Sequence, residues 1–151
     1  MDRSYIARND ASRAHLEALV DRLTDDQLAI VADGWPVGVH LAHLAYWDRF
    51  TLLRWQETVR SGRTVPVSVG DPLLDLINDA QVAQWGALGS AETRALVKLA
   101  AADGDAHIAS LPDSLVQAAQ DAGLDRTLDR SVHRQLHLGP VETALAAAAG
   151  H

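Results

Sequence analysis

Three histidines have the residue type and the spacing of a metal site. His133 and His137 lie four residues apart in RSVHRQLH, and His43 lies about ninety residues earlier in GWPVGVHLAHLAYWDRF. Residues four apart in an α-helix differ by about 40° of rotation, so two imidazoles at this spacing can reach one ion. Imidazole binds Zn²⁺, Ni²⁺, Fe²⁺ or Cu²⁺, and three protein ligands leave a coordination position for water or substrate. The pattern therefore predicts a reactive metal site rather than a structural one.

The composition indicates one domain and limits the classes of function. The chain has 151 residues, of which 48% are hydrophobic, and this is enough to bury a core in a single domain spanning 1–151. It has no cysteine, so disulfides and thiolate metal sites are excluded and any metal must be bound by nitrogen and oxygen. The net charge of −7 argues against a nucleic-acid partner.

The first residues and the hydropathy pattern predict a soluble cytoplasmic protein. MDRSYIARND is charged and polar where a secretory signal would need an apolar segment. No stretch of the sequence approaches the roughly eighteen consecutive apolar residues of a membrane span. We therefore expect no membrane partner.

Helical periodicity predicts the elements that must position the histidines. Apolar residues recur at a spacing of three and four along most of the chain, and strand signals are nearly absent. The pattern predicts helices over about 4–23, 24–31, 36–60, 73–89 and 90–110, and a final helix that starts at Thr127 or Asp129 and carries His133 and His137. The prediction is an all-α four-helix bundle with a long crossover between the second and third main helices.

Several local signals set the expected boundaries. Residues 24–27 (TDDQ) have the form of a capping box, and the Asp-Gly at 33–34 should end the short helix that follows. Pro36 fits the first turn of the next helix. Residues 61–72 predict an extended crossover loop, because a strand formed by their alternating valines would have no partner. Residues 111–128 are rich in turn signals and could form a short helix or a partly ordered loop.

Two segments of the chain resemble the DinB-like superfamily, named for damage-inducible bacterial proteins. GWPVGVHLAHLAYWDRF resembles the family's Trp-to-His-Leu segment, and HRQLHLGPVETAL resembles its closing His-x-x-x-His-Leu-Gly segment. The resemblance covers most of the chain in order and spacing. It implies an up-down-down-up four-helix bundle, a divalent metal bound by His43, His133 and His137, and a homodimer. It also implies a link to enzymes that use mycothiol or bacillithiol, among them the mycothiol-dependent maleylpyruvate isomerases.

Two features of the sequence depart from that family pattern. The isomerases tend to have Glu where this chain has His133, which argues against the specific isomerase reaction. Gly139-Pro140 follows the last ligand directly. Proline removes one helical hydrogen bond and disfavours helical geometry at the preceding residue, so the final helix should bend there. The bend could widen a pocket beside the metal or merely fit the helix to its neighbours.

Three further residues are candidates for a role near the metal. His40, three residues before His43, could lie behind a ligand or in the pocket. Asp48 could orient a ligand imidazole or a water, or it could pair with Arg49 or Arg54. Trp47 is one helical turn from His43 and could line the pocket, whereas Trp35 should close the entrance of its helix.

The expected chemistry is thiol transfer, since a metal held by three neutral imidazoles, Zn²⁺ or Ni²⁺ above all, stabilises a bound thiolate. Because the chain has no cysteine, the sulfur would come from a small-molecule thiol and would attack an electrophile. Hydrolysis is an alternative in which Asp48 would be the general base. Another alternative is a bundle without catalysis, in which the metal is a staple or part of a stress or ligand sensor. A bundle whose histidines bind no metal also remains open.

Overall fold

The structure, a computed structural model, describes residues 1–150 and is mostly helical. The helices are α1 (Tyr5–Arg22), α2 (Asp25–Leu28), α3 (Val37–Ser61), α4 (Asp71–Gly86), α5 (Ser90–Ala109), α6 (Asp113–Asp121) and α7 (Ser131–Ala149). The strands β1 (Val31–Ala32) and β2 (Trp35–Pro36) form an antiparallel pair. The all-α prediction is therefore confirmed. No helix within residues 1–150 is both long and apolar enough to cross a lipid bilayer.

The predicted boundaries of α1 and α3 agree with the structure within one residue, whereas α2 ends at Leu28, three residues before the predicted end. The capping box is confirmed, because Thr24 Oγ1 accepts from the Gln27 amide and the Gln27 side chain accepts from the Thr24 amide. The long helix α3 begins at Val37, directly after Pro36, and it ends before Gly62, whose φ of 70° is left-handed.

The hairpin between α2 and α3 was not predicted. Asp33 and Gly34 have φ of 45° and 84°, the two positive values that a tight two-residue hairpin turn requires. Asp-Gly therefore reverses the chain between the two strands. Contrary to the prediction, it does not end α2, because α2 already stops at Leu28 with Ala29 as its C-cap. The strands are only two residues long, which is too short to produce an alternating pattern in the sequence.

The crossover between α3 and α5 combines a loop with a helix. Residues 65–70 are neither helix nor strand, as predicted for the loop, and α4 starts at Asp71 with Pro72 in its first turn. Residues 113–121, where a short helix or a loop was expected, form α6.

The final helix starts later than predicted and continues through its proline. Arg130 is its N-cap residue, so the prediction of Thr127 or Asp129 was wrong. Asp129 nevertheless accepts a hydrogen bond from the Ser131 amide at 3.1 Å. Pro140 lies inside α7 and does not end it.

The four long helices pack around the main core. α3 packs against α5 and α7, and α1 packs against the same two helices. The core between them is built from leucine, valine and alanine, including Leu16, Leu19, Leu41, Leu44 and Leu138. Because α3 and α7 are neighbours, the histidines on these two helices can meet.

Candidate metal centre

His43 from α3 meets His133 and His137 from α7. One ring nitrogen of each lies within 4.8 Å of the others. The Nε2 atoms of His43 and His133 are 3.1 Å apart. Two nitrogens bound to one tetrahedral zinc lie roughly 3.3 Å apart, given a Zn–N bond of about 2.05 Å. His43 and His133 therefore already stand at the spacing that a shared ion needs, and a nitrogen of His137 lies within 4.8 Å of both.

Burial keeps the three imidazoles neutral. It lowers the pKa of His43 to about 3, with help from His137, His40 and Arg130. It lowers the pKa of His137 to about 4, with a further contribution from His40. The pKa of His133 also falls well below its usual value, through burial first and the Arg130 charge second. Since only the neutral ring offers a lone pair to a metal, the donor set suits a divalent transition ion.

His40 orients His137 through a chain of two hydrogen bonds. Its Nε2 lies 2.7 Å from the carbonyl oxygen of Ala32 in β1, and its Nδ1 lies 3.0 Å from Nδ1 of His137. A carbonyl can only accept, so the proton of neutral His40 is on Nε2 and its Nδ1 accepts from His137. The lone pair of His137 is then on Nε2, free for an ion. His40 thus lies behind His137 and outside the group of three, and its role behind a metal ligand stays a prediction.

His133 is held from behind by Arg130, which precedes it by one turn of α7. An Arg130 guanidinium nitrogen is 3.1 Å from His133 Nδ1. Because arginine only donates, Nδ1 accepts and the proton of neutral His133 is on Nε2, facing His43 Nε2. His43 must accept there, which places its own proton on Nδ1, a buried atom with no hydrogen-bond partner within residues 1–150. An ion bound by both Nε2 atoms would replace this shared proton.

Asp48 is buried and binds two arginines, Arg130 at the N-cap of α7 and Arg134 within α7. Its carboxylate accepts from Arg130 at 2.8 Å and from Arg134 at 2.9 Å. The predicted pairing with Arg49 or Arg54 is not what the structure has. Five residues along a helix correspond to about 140° of rotation and about 7.5 Å of rise, so Asp48 meets α7 at a different point from His43. It acts on the histidines through Arg130 and not by a direct hydrogen bond.

Arg134 and Asp105 complete this buried network, and neither was predicted from the sequence. Arg134 is fully buried and donates to Asp48 and, at 2.8 and 2.9 Å, to both carboxylate oxygens of Asp105 in α5. Its position next to His133 in the sequence was a reason to consider Arg134 for the site, but an arginine at this position could equally have faced solvent. The network fixes the histidine-bearing turn of α7 against α3 and α5.

Tryptophans cover the histidines on their outer side. The Trp35 ring stacks on His137 at 6.2 Å with an interplanar angle of 10°, and it also contacts His40 and His43. Trp85 of α4 meets His43 edge-on at 5.1 Å. Trp35, expected only to close a helix entrance, is therefore part of the site. The local sequence around Trp85 does not predict its contact with His43.

A pocket of about 510 Å³ opens beside the three histidines. Trp47 lines it, as predicted, and its indole nitrogen donates to Asn78 of α4 at 2.9 Å. The walls come from α3, the 65–70 loop, α4 and the start of α7. The site thus combines a possible metal position with room for a small organic molecule.

Two other histidines stay apart from the site. His15 lies at the surface, 2.9 Å from Glu142. His107 is near the end of α5, where burial lowers its pKa. Neither belongs to a group of three possible metal ligands within residues 1–150.

Comparison with known proteins gives the family but no individual relative. No curated protein and no solved structure matches the chain. The sequence model of the DinB superfamily matches residues 8–151, nearly the whole chain and all three clustered histidines. The chain therefore belongs to the DinB superfamily.

Proposed function

We propose that His43, His133 and His137 hold one divalent transition metal, zinc or nickel, and that the protein transfers the sulfur of a low-molecular-weight thiol to an electrophile. The observation that carries this proposal is the meeting of three neutral imidazoles beside an open pocket. An ion in this site keeps its full positive charge and stabilises a bound thiolate at neutral pH.

The donor set and the composition support a cofactor of the mycothiol or bacillithiol type. The chain has no cysteine, so it cannot supply the nucleophilic sulfur itself. The 510 Å³ pocket has the volume of a small-molecule site, and it reaches all three histidines. A thiol entering through it would meet the face of the cluster that the protein leaves open.

The surrounding residues prepare the site for binding. His40 holds the His137 ring so that the Nε2 lone pair of His137 is turned away from the hairpin. Trp35 and Trp85 exclude water from the outer side of His43, since both rings lie against it. Rigid support of this kind keeps ligands in place and raises metal affinity.

Hydrolysis receives less support than thiol transfer. Asp48 was the expected general base, but its carboxylate is buried and accepts from both Arg130 and Arg134. A base that takes a proton from a metal-bound water needs a free acceptor within hydrogen-bond reach of that water. A ligand sensor without catalysis would use the same pocket, and only turnover separates it from a transferase.

The family membership also supports an up-down-down-up four-helix arrangement and a homodimer. The contacts of α1, α3, α5 and α7 are those that such a bundle needs. Leu96 and Leu99 on α5 are exposed and offer apolar surface for a second copy. Sedimentation equilibrium would give about 32 kDa for a dimer against 16.2 kDa for a monomer.

Elemental mass spectrometry tests the metal proposal first. We expect about one equivalent of zinc or nickel in untagged protein and a large loss in the His43→Ala and His137→Ala variants. The control is His15→Ala, because His15 lies outside the cluster. Absence of metal from the parent after reconstitution with both ions would refute the proposal.

A second experiment tests catalysis. Cobalt-substituted protein should develop thiolate-to-metal absorption when a thiol is added, and it should then consume halide, epoxide or activated-alkene electrophiles. A spectrum that no thiol changes would indicate a closed, structural ion. Thiol binding without any turnover would favour the sensor.

A further inference from the structure

One face of α3 forms a continuous wall of the pocket beyond the metal site. His43, Trp47, Phe50 and Arg54 all line the pocket. Their spacing of four, three and four residues keeps them within about 60° of one another around the helix. Arg54 stands eleven residues after His43, roughly 16 Å further along the helix axis. The wall therefore leads from the histidines, over two aromatic rings, to a cation.

Arg54 has no acidic partner within residues 1–150. One guanidinium nitrogen donates to the Val67 carbonyl, and Nε is buried with no partner. The guanidinium lies 5.7 Å from the centre of the Phe50 ring. It is half-buried, and burial and the Arg130 charge both lower its pKa. A half-buried cation with an unused donor favours an anion from outside the chain.

None of the other charged residues that line the pocket neutralises the charge of Arg54. Arg130 is neutralised by Asp48, and Asp129 pairs with Arg8 at 2.8 Å. Two charges remain exposed, Arg126 and Asp75, and they are of opposite sign.

Arg54 is therefore the surplus charge of the pocket, although the protein as a whole carries −7. A positive pocket on an acidic protein attracts anions selectively, because the rest of its surface repels them.

We propose that the pocket takes an elongated organic carboxylate, with its carboxylate on Arg54 and its apolar part along Trp47 and Phe50. This inference rests on the proposed function, since the opposite end of the same molecule lies at the histidine cluster. Arginine suits the role because its planar donors match a carboxylate in a bidentate manner. The two aromatic rings give the apolar part a surface to pack against. Arg54 thus selects the substrate, and it takes no part in the reaction.

A pair of thiols that differ only in charge tests the proposal. Mercaptohexanoate carries a carboxylate at the end remote from sulfur, and mercaptohexanol carries a hydroxyl there. Both would be titrated into cobalt-substituted protein, with thiolate-to-cobalt absorption as the measure of binding. We expect the acid to bind about tenfold more tightly than the alcohol, the value of one hydrogen-bonded charge pair.

Three variants of α3 test whether Arg54 causes the preference for the acid. In Arg54→Gln the preference for the acid should vanish, while the affinity for the alcohol stays unchanged. Arg54→Lys keeps the charge and should keep part of the preference. Arg49→Gln removes the same charge from an exposed position of the same helix outside this pocket, and it should behave as the parent. Equal binding of acid and alcohol by the parent, or a preference that survives in Arg54→Gln, would overturn the proposal.

Failure of the metal proposal can be told apart from failure of this one. If no thiol produces cobalt absorption, the metal chemistry has failed, and the anion site is tested without it. Hexanoate and hexanol would then be compared by quenching of tryptophan fluorescence, since Trp35 and Trp47 line the pocket. Quenching by hexanoate alone that is lost in Arg54→Gln supports the anion site, and equal quenching by both compounds refutes it.

Discussion

His40 and His137 face each other with their Nδ1 atoms 3.0 Å apart, and the Ala32 carbonyl behind His40 decides which of them donates. The hairpin thus determines the tautomer of an imidazole on α7. Two strands of two residues each would be a minor feature of the fold, but they place this carbonyl 2.7 Å from His40 Nε2. The hairpin therefore supports the three-histidine cluster that we propose as a metal site.

The first prediction concerns His40. Replacement by Leu should leave His137 without its acceptor and weaken metal binding by roughly 10- to 100-fold, the usual cost of losing a partner of a ligating histidine. His40→Asn should lose less, because its side-chain oxygen can still accept from His137. Competition with a chromophoric chelator measures both affinities. Equal affinities for His40→Leu and the parent would show that the hydrogen bond has no role in metal binding.

The second prediction concerns acid stability without metal. His43 and His137 have pKa values of about 3 and 4 in the folded chain, below the ordinary value of 6.5. Between pH 6.5 and 4 the unfolded chain therefore binds more protons, and stability must fall as the pH falls. The limit is about 1.4 kcal/mol per pH unit for each histidine. Stability should not depend on these two groups above pH 7.

Urea unfolding of metal-free protein at pH 7 and pH 5 measures this effect. His43→Asn cannot be protonated and should show a smaller loss between the two pH values. His15→Asn is the control, because it removes a histidine at the surface and outside the cluster. An identical pH dependence in His43→Asn and the parent would contradict the low pKa of His43.

The three clustered histidines could be predicted from the sequence because their relation is largely local. His133 and His137 share a helical face by spacing alone, and the segment around His43 resembles the family motif. Trp47 and His40 followed from the same helical periodicity. The longer helices were predictable for the same reason, since each carries its own apolar stripe, although the start of α7 was not.

The partners of Asp48 and of Trp35 were not predictable from local patterns. Asp48 pairs with arginines more than eighty residues away, and helix packing alone brings them together. Trp35 precedes α3, so its contact with His137 depends on the turn at Asp33-Gly34 and on the α3 to α7 packing. Such contacts depend on how the helices pack in the tertiary structure, and the helix packing could not be predicted from local sequence patterns.

The third prediction concerns the buried ion network. Arg134→Leu would leave Asp48 with one partner fewer and Asp105 without its buried partner. Breaking a buried pair by removing one member costs about 3–5 kcal/mol of folding free energy. Urea unfolding at pH 7 measures the loss. Arg60→Leu, which breaks an exposed pair with Glu57, should change little. A small effect in both variants would mean that water or Arg13 replaces Arg134.

The last prediction concerns Arg130, which opposes metal binding while it supports the apo fold. To bind an ion through Nε2, neutral His133 must carry its proton on Nδ1, where Arg130 now donates at 3.1 Å. Two donors would then face each other. In Arg130→Gln the side-chain oxygen can accept from Nδ1 instead, so metal should bind more tightly although the fold loses a pair with Asp48.

Chelator competition measures the metal affinity of this variant, and urea unfolding of the metal-free protein measures its stability. Arg126→Gln serves as the control, because Arg126 is exposed and has no ion pair within residues 1–150. We expect affinity to rise and stability to fall in Arg130→Gln, with neither changed in Arg126→Gln. A fall in both quantities for Arg130→Gln would mean that the ion binds His133 as the imidazolate, whose negative charge Arg130 stabilises.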